Sequence, residues 1–557
     1  MTGTRGMTAA GAEAVPASAA RVAARLVLAA LVLHLVLVQP NHPAAMTWGA
    51  LLMFPLELPV ILLALVALPG GRGARRVRGV LVAVLALVAV LKAADYATFT
   101  ALARGFNPVA DLALVEAGLR LVAGAIGPVA TGGALLAALI AVAALIRALW
   151  WATGVWAGIR APGHLARGMA AAAILFSGVA VAEIGHAMGR WSLPVPPPGA
   201  AFTARVGLER VAMARETLAD LRAFEAAARA DPFAGRPGLL QAIDRDVIVV
   251  FVESYGRASL DTPLYAETHR ATLAAAGARL SGLGLSMRSG FLEAPTRGGQ
   301  SWLSHATFAN GLWIADQTSY GAALASGRRT LFHIAAEAGF RTAAVMPQIA
   351  LDWPEADRMG FDTVLAAADL GYEGLPFNWV TMPDQFTFAA LDRLLRSGED
   401  GRHLFVQVAT GSSHAPWVPV PEMVDWEAVG DRRIFDEMAR AGDPPDVVWR
   451  DRDRVRDQYR QAVDYALRVV FDYAARHADD PPLILVVGDH QAAGFVARDA
   501  RPDVPVHVIG PAHLVAAAEG WGWTEGLIPG AEVEVRSMAA MRDMILEAFA
   551  RPAEGGT

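Results

Sequence analysis

Val247-Ile-Val-Val-Phe-Val-Glu253-Ser-Tyr-Gly-Arg257 places six consecutive apolar residues, five of them β-branched valine or isoleucine, in front of a carboxylate. A short continuous apolar run without polar alternation predicts a strand covered on both faces. Four further runs of this kind follow: Thr342–Met346, Leu404–Val408, Leu483–Val487 and Val504–Ile509. Helical patterns separate them, notably Arg454–Ala475 and Met538–Phe549. Buried strands alternating with helices predict an α/β domain with a mostly parallel central sheet, over residues 238–550. In such sheets ligands bind beyond the carboxyl ends of the strands. The residues that end each run are therefore the candidate site.

The chain upstream of this domain has a different composition. Of 557 residues, 18% are charged and 54% hydrophobic. Between Val22 and Trp191 only 17 of 170 residues are charged, against 85 of the other 387. Five apolar stretches there approach the length of about 20 residues that crosses a bilayer: Val22–Val38, Trp48–Leu68, Gly79–Ala94, Gly127–Trp150 and Met169–Gly189. They predict a five-helix transmembrane region over residues 22–191 in a lipid bilayer. The first stretch lacks a small-residue cleavage site and is read as an anchor, not a removed signal peptide. Arginines at 21, 25, 72, 75, 76, 78, 147, 160 and 167 fall on one side of these spans. The positive-inside rule then puts residues 1–21 in the cytoplasm and everything after Trp191 outside it. A wholly soluble protein and a pure transporter are both excluded by this division.

Two features of the membrane part carry two readings each. Glu57, in Phe54-Pro-Leu-Glu57-Leu-Pro59, is an ionisable group at mid-span and so a functional candidate. Alternatively, Pro55 and Pro59 break the helix and let Glu57 reach water or a partner such as Lys92. The loop Phe106–Leu121 carries Asp111, Glu116 and Arg120 among apolar residues at helical spacing. It fits an interfacial helix that guides lipid, or an ordinary connecting helix. Residues 192–237 read as a linker, stiffened by Pro194-Val-Pro-Pro-Pro198, and a juxtamembrane helix over Ala204–Ala230.

Three of the apolar runs end in groups that can bind a metal. Glu253 follows the first, Asp489-His490 the fourth, and Thr410-Gly-Ser-Ser-His414-Ala-Pro-Trp417 the third. Oxygen and imidazole ligands without thiolate suit one divalent metal, Zn or Mn. The chain has no cysteine, which excludes disulfides, zinc-thiolate sites and thiol nucleophiles. A net charge of −6 without a basic stripe argues against a nucleic-acid partner. Between the first and later ligands, Ala294-Pro-Thr296-Arg297-Gly-Gly-Gln-Ser301-Trp-Leu-Ser304-His305-Ala-Thr307 is a glycine-rich loop running into a helix. A hydroxyl at that helix start sits at the positive end of the dipole, where an anion is held. Metal coordination would make it nucleophilic at neutral pH. Ser301 is the best placed, and an ordinary N-cap serine is compatible with this role.

On these motifs the chain resembles the alkaline phosphatase/sulfatase superfamily. Within it, the chain is similar to the five-span membrane transferases of phosphorus-containing head groups: lipoteichoic acid synthase, the lipid A phosphoethanolamine transferases and the phosphoglycerol transferase of periplasmic glucans. The resemblance implies Glu253, Ser301, Asp489 and His490 as metal ligands, with Ser301 where the family has a nucleophilic threonine and Gly311 at the following spacing. It implies His414 as the histidine that meets the substrate phosphate. Trp353, in a stretch like the family's substrate-binding segment, joins Arg257, Arg297 and His305 as candidate substrate contacts. A second substrate histidine of lipoteichoic acid synthase has no counterpart here, and Met346 lies near its place.

The activity so implied is metal-dependent transfer of a phosphoglycerol or phosphoethanolamine group. The donor would be a membrane phospholipid and the acceptor an extracytoplasmic glycan or lipid, with a phosphoserine intermediate. The implied location is the bacterial inner (cell) membrane with the catalytic domain on the periplasmic side. The alternative is a membrane-tethered sulfatase or phosphodiesterase. Formylglycine-type sulfatases need Cys or Ser followed by Pro and Arg, and Ser301-Trp-Leu-Ser-His305 has neither in place. A non-catalytic sensor would be expected to have lost ligands, and all four positions are filled.

Overall fold

The computed structural model describes residues 19–551 apart from 103, 113, 114, 116, 117, 120–122, 124–126, 196, 351, 352, 354, 398, 399 and 431. Two compact units divide between Leu218 and Ala219.

In the first unit, four helices among the described residues are long and apolar enough to cross a membrane: Ala19–Val38, Arg72–Thr100, Pro128–Ala157 and Gly163–Ala187. The expected span Trp48–Leu68 is instead two helices, Trp48–Leu52 and Glu57–Ala67. Pro55 lacks the N–H that would continue the first piece, while Pro59 falls in the first turn of the second, where that loss costs little. The second piece has 11 residues, a rise of about 16 Å and so roughly half the hydrocarbon thickness. Glu57 opens this piece, and its Oε1 accepts the N–H of Ala204 at 2.9 Å. Lys92 donates to the carbonyl of Leu37 at 3.0 Å and to Thr203 Oγ at 2.7 Å, beside the Ala204 that Glu57 engages. In the loop after the third stretch, Asp111 takes both guanidinium arms of Arg104, at 2.7 and 2.8 Å. Glu116 and Arg120 of that loop lie outside the described residues. The polar-apolar pattern expected from Ala204 is the helix Phe202–Arg229, and Asp95 pairs with its Arg210 at 3.0 Å.

The second unit is built on one nine-stranded sheet. Its strands are β1 Val247–Val252, β2 Ser286–Glu293, β3 Arg341–Met346, β4 Thr363–Ala366, β5 Leu404–Ala409, β6 Leu483–Gly488, β7 Asp503–Gly510, β8 Thr524–Glu525 and β9 Val535–Ser537. They run in the order β4-β3-β5-β1-β6-β7-β2-β8, with β9 beside β2. The first five are mutually parallel. Strand β7, read from sequence as one more run of a mostly parallel sheet, is antiparallel to both β6 and β2. Side chains of β1 alternate between two cores: Ile248, Val250 and Val252 face one, and Val247, Val249 and Phe251 the other. Both faces are covered, which is why the run carries no polar alternation. Helix Arg452–Arg476, close to the span expected for it, packs on the first face through Val455, Tyr459, Val463 and Val470.

Candidate metal centre

Register places the ligands. In the β1–β6 pair Val252 lies opposite Gly488, and in the β1–β5 pair Phe251 lies opposite Ala409. The next residues outward are Glu253, Asp489 and Thr410, so three chain segments far apart in sequence meet at one carboxyl edge. The Glu253 N–H donates to Thr410 Oγ at 3.2 Å, and Ser413 Oγ donates to the Glu253 carbonyl at 2.7 Å. Strand β2 ends at the same edge, because its Glu293 pairs with Asp503 at the start of antiparallel β7.

From Glu293 the chain turns through three left-handed residues, Gly298 (φ 71°), Gly299 (φ 140°) and Gln300 (φ 66°), into helix Ser301–Asn310. Glycine is needed at 298 both for its φ and because a Cβ there would sit 3.3 Å from Ala493 Cα. Ser301 is the first residue of the helix, and Gln300 holds the N-cap position without a side-chain cap. Ser301 Oγ donates to Glu253 Oε2 at 3.0 Å and lies 3.2 Å from His490 Nε2. The other hydroxyls of the loop are engaged elsewhere: Thr296 with Ser304 at 3.3 Å, and Thr307 with the N–H of Ile314 at 3.0 Å.

Glu253, Asp489 and His490 are all buried, and each offers a ligand atom within 4.8 Å of the others. His490 Nε2 lies 3.3 Å from Glu253 Oε1 and 3.8 Å from Asp489 Oδ2. His490 Nδ1 donates to the Gln491 carbonyl at 3.1 Å, which orients the ring so that Nε2 faces the carboxylates. The same carbonyl accepts the N–H of Gly298 at 2.7 Å, tying the serine loop to the histidine. The electrostatics are those of an unsatisfied anionic cluster. Burial, then the nearby Glu253 charge, push the Asp489 carboxyl well above its usual range. Burial opposes charge on His490, yet Asp489 and Glu253 carry it up to about 9. Burial likewise opposes charge on Glu253, and His490 outweighs it, holding this carboxyl well below its usual range. Two carboxylates, an imidazole lone pair and a hydroxyl oxygen fit a divalent cation. A cation would displace the proton that the cluster otherwise retains.

The other candidates are placed differently. His414 is half-buried in the loop after β5, its Nδ1 donating to the Ala415 carbonyl at 2.6 Å. His305, one turn beyond Ser301, is buried against Phe251 with ring centroids 4.1 Å apart, and burial pushes it down to about 3. Arg257 pairs with Asp261 and Asp503, each at 2.9 Å, and stacks on Phe291. Arg297 is exposed and donates to the Ala500 carbonyl. Trp353 packs on Phe361, ring centroids 6.1 Å apart. Sequence reasoning missed Ser254, Thr410, Ser413 and Asp384. Asp384 is buried, and its Oδ1 accepts the N–H groups of Gly411 and Ser412 at 2.7 and 3.0 Å, shaping the turn before His414.

The sulfatase family model matches residues 245–501. Among curated proteins no sequence matches. Similar solved structures include lipoteichoic acid synthase LtaP from Listeria monocytogenes, at 13% identity and TM-score 0.34, covering 53% of this chain and 71% of that one. Phosphoglycerol transferase GacH from Streptococcus pyogenes, in complex with sn-glycerol-1-phosphate, matches at 14% identity and TM-score 0.34, covering 53% and 74%. The periplasmic domain of EptC from Escherichia coli, in complex with Zn, matches at 14% and 0.35, covering 54% and 82%. The segment that matches the sulfatase family begins just before β1 and ends beyond Asp489-His490, so it takes in the serine helix and the whole anionic cluster.

Proposed function

We propose that the protein is a membrane-anchored, metal-dependent phosphotransferase that moves a phosphoglycerol or phosphoethanolamine group from a phospholipid to an extracytoplasmic glycan or lipid. The observation that carries this reading is Ser301 Oγ at an uncapped helix start, 3.0 Å from Glu253 Oε2 and 3.2 Å from His490 Nε2. Glu253, Asp489, His490 and Ser301 would hold one divalent ion, Zn or Mn. When bound, it supplies charge neutralisation at the phosphoryl oxygens and lowers the pKa of the serine hydroxyl.

The chain's own residues do the rest. Ser301 Oγ forms a bond to phosphorus while the bond from phosphorus to the diacylglycerol oxygen breaks, and the hydroxyl proton passes to Glu253 Oε2. His414 gives a proton to the departing diacylglycerol oxygen. In the second half the acceptor hydroxyl attacks phosphorus, its proton returns to His414, and Ser301 Oγ leaves and takes back its own proton. The N-terminal amides of helix Ser301–Asn310 favour the anionic group throughout.

This reading includes five crossings, with the short helices Trp48–Leu52 and Glu57–Ala67 together making the second, and an extracytoplasmic second unit. A reporter fused after Gly199 should be active only outside the cytoplasm; cytoplasmic activity at that junction overturns the topology. The activity is tested by incubating the full-length protein with vesicles of labelled phosphatidylglycerol or phosphatidylethanolamine. Expected are free diacylglycerol and a Ser301 peptide heavier by the head-group phosphate. Release of free head-group phosphate without transfer to any acceptor would favour the hydrolase, and an unmodified Ser301 peptide after diacylglycerol release would overturn the covalent route.

A further inference from the structure

Ser254 holds a left-handed backbone, φ 57°, at a position only 4% exposed. For a residue with a Cβ that conformation is strained, and such strain persists only where the surroundings over-determine it. Four hydrogen bonds do so here. The Ser254 N–H donates to Asp489 Oδ1 at 2.8 Å, its Oγ donates to Glu253 Oε1 at 2.9 Å, and its carbonyl accepts from Tyr459 Oη at 2.9 Å and from the N–H of Gly256 at 3.0 Å. One oxygen of each carboxylate is thereby fixed by Ser254. Both oxygens of Glu253 still face the cluster, Oε2 meeting Ser301 Oγ at 3.0 Å and Oε1 lying 3.3 Å from His490 Nε2, while Asp489 presents Oδ2 to His490 Nε2 at 3.8 Å. In this left-handed turn the N–H reaches Asp489 and the Oγ reaches Glu253, and Tyr459 anchors the arrangement to helix Arg452–Arg476.

We propose that Ser254 is a positioning residue that presets Glu253 and Asp489 as metal ligands, an inference resting on the metal centre proposed above. Two variants separate this from a merely structural role. Ser254→Gly removes the hydroxyl and relieves the backbone, whereas Ser254→Ala removes the hydroxyl and keeps the strain. Zn²⁺ affinity of the full-length protein in detergent is read by competition with a chromophoric chelator. The visible spectrum of the Co²⁺-loaded protein is read alongside, and so is thermal unfolding of the metal-free form.

The hydroxyl's loss should weaken Zn²⁺ binding about 10- to 100-fold in both variants, the range for a partner that orients a ligand, and shift the Co²⁺ spectrum in both. Metal-free Ser254→Gly should unfold no lower than wild type. Wild-type Zn²⁺ affinity and an unchanged Co²⁺ spectrum in Ser254→Gly would overturn the proposal. So would affinity that falls in Ser254→Ala and recovers in Ser254→Gly together with stability. If the wild-type protein itself binds neither Zn²⁺ nor Co²⁺, the metal centre falls, and this inference with it.

Discussion

Buried charge is treated in opposite ways in the first unit and at the strand-edge cluster of the second. In the first, Asp95 pairs with Arg210 at 3.0 Å, Lys92 donates to two backbone carbonyls and Thr203, and Glu183 meets Arg205 and the N–H of Ala201. In the second, Glu253 and Asp489 converge on a single imidazole, and the ion pairs found at either carboxylate are both with His490. Paired charge is what a fold needs to bury polar groups at tolerable cost. A surplus of negative charge at a strand edge is a cost without structural return, and it is the condition that recruits a cation. The comparison teaches that the anionic surplus, more than burial, marks the site.

The largest effect should come from removing the surplus. Asp489→Ala should lose both bound metal and turnover, with activity down at least about a thousand-fold, since several kcal/mol of transition-state charge stabilisation goes with the cation. Elemental analysis of the purified variant checks it, and full metal content would place the site elsewhere. Because a repulsive carboxylate is gone, the metal-free variant should unfold no lower than metal-free wild type. The same kind of substitution in the first unit should do the reverse.

Ser301→Ala comes next and keeps the comparison within one site. Turnover should be abolished while the ligand surplus, the fold and metal uptake remain, with affinity somewhat reduced. Ser301→Thr should retain substantial activity, because the attacking oxygen is the same. Thr296→Ala should be far milder, as Thr296 is bonded to Ser304 and does not reach the cluster's oxygens. A dead Thr296→Ala beside an active Ser301→Ala would move the nucleophile to Thr296.

The legible parts of this molecule are those whose signal is local. Five strands read as continuous apolar runs because both faces of each are covered. β2 was illegible because its polar residues are satisfied one at a time: Arg288 by Glu519 at 3.0 Å, Ser289 by His507 at 2.7 Å. β8 and β9 are two- and three-residue strands and too short to carry a pattern. Glu253, Asp489, His490 and Ser301 were visible because each stands next to a strand end or helix start. Ser254, Thr410 and Ser413 were not, since their work is done through hydrogen bonds to partners brought near only by the β1–β5–β6 register. Arg257 and Arg297 show the converse: residue type suggested phosphate, but Asp261, Asp503 and a backbone carbonyl occupy them.

In the first unit, Arg210→Met leaves Asp95 buried with a charge matched only by the Asn41 amide and the N–H of Phe106. Breaking a buried pair costs about 3–5 kcal/mol, so the midpoint of thermal unfolding should fall markedly while turnover per folded molecule stays unchanged. Pairing it with Asp95→Leu should recover most of the loss. An unchanged midpoint in the single variant would mean that this charge is as tolerant of an absent partner as the anionic cluster is.

The smallest effect tests a buried carboxylate that belongs to neither class. Asp384 is fully buried, with Oδ2 unpartnered among the described residues, and burial pushes its carboxyl up to about 6 despite the amides of Gly411 and Ser412. A carboxyl whose folded value exceeds its unfolded one binds its proton more tightly when folded. Its contribution to stability is therefore complete below about pH 4 and lost as pH rises through about 6. The shift of roughly two units corresponds to about 3 kcal/mol. Other site carboxyls titrate in the same window, so the informative quantity is the difference between wild type and Asp384→Asn, both metal-free. Asparagine keeps the Oδ1 acceptor for Gly411 and Ser412 and cannot ionise. Urea unfolding at pH 4 and pH 7 should therefore give a stability decline in wild type that is smaller in the variant by up to this amount. Equal declines would show that Asp384 is ionised throughout and that an unseen cation or donor reaches Oδ2, which would make it a member of the site.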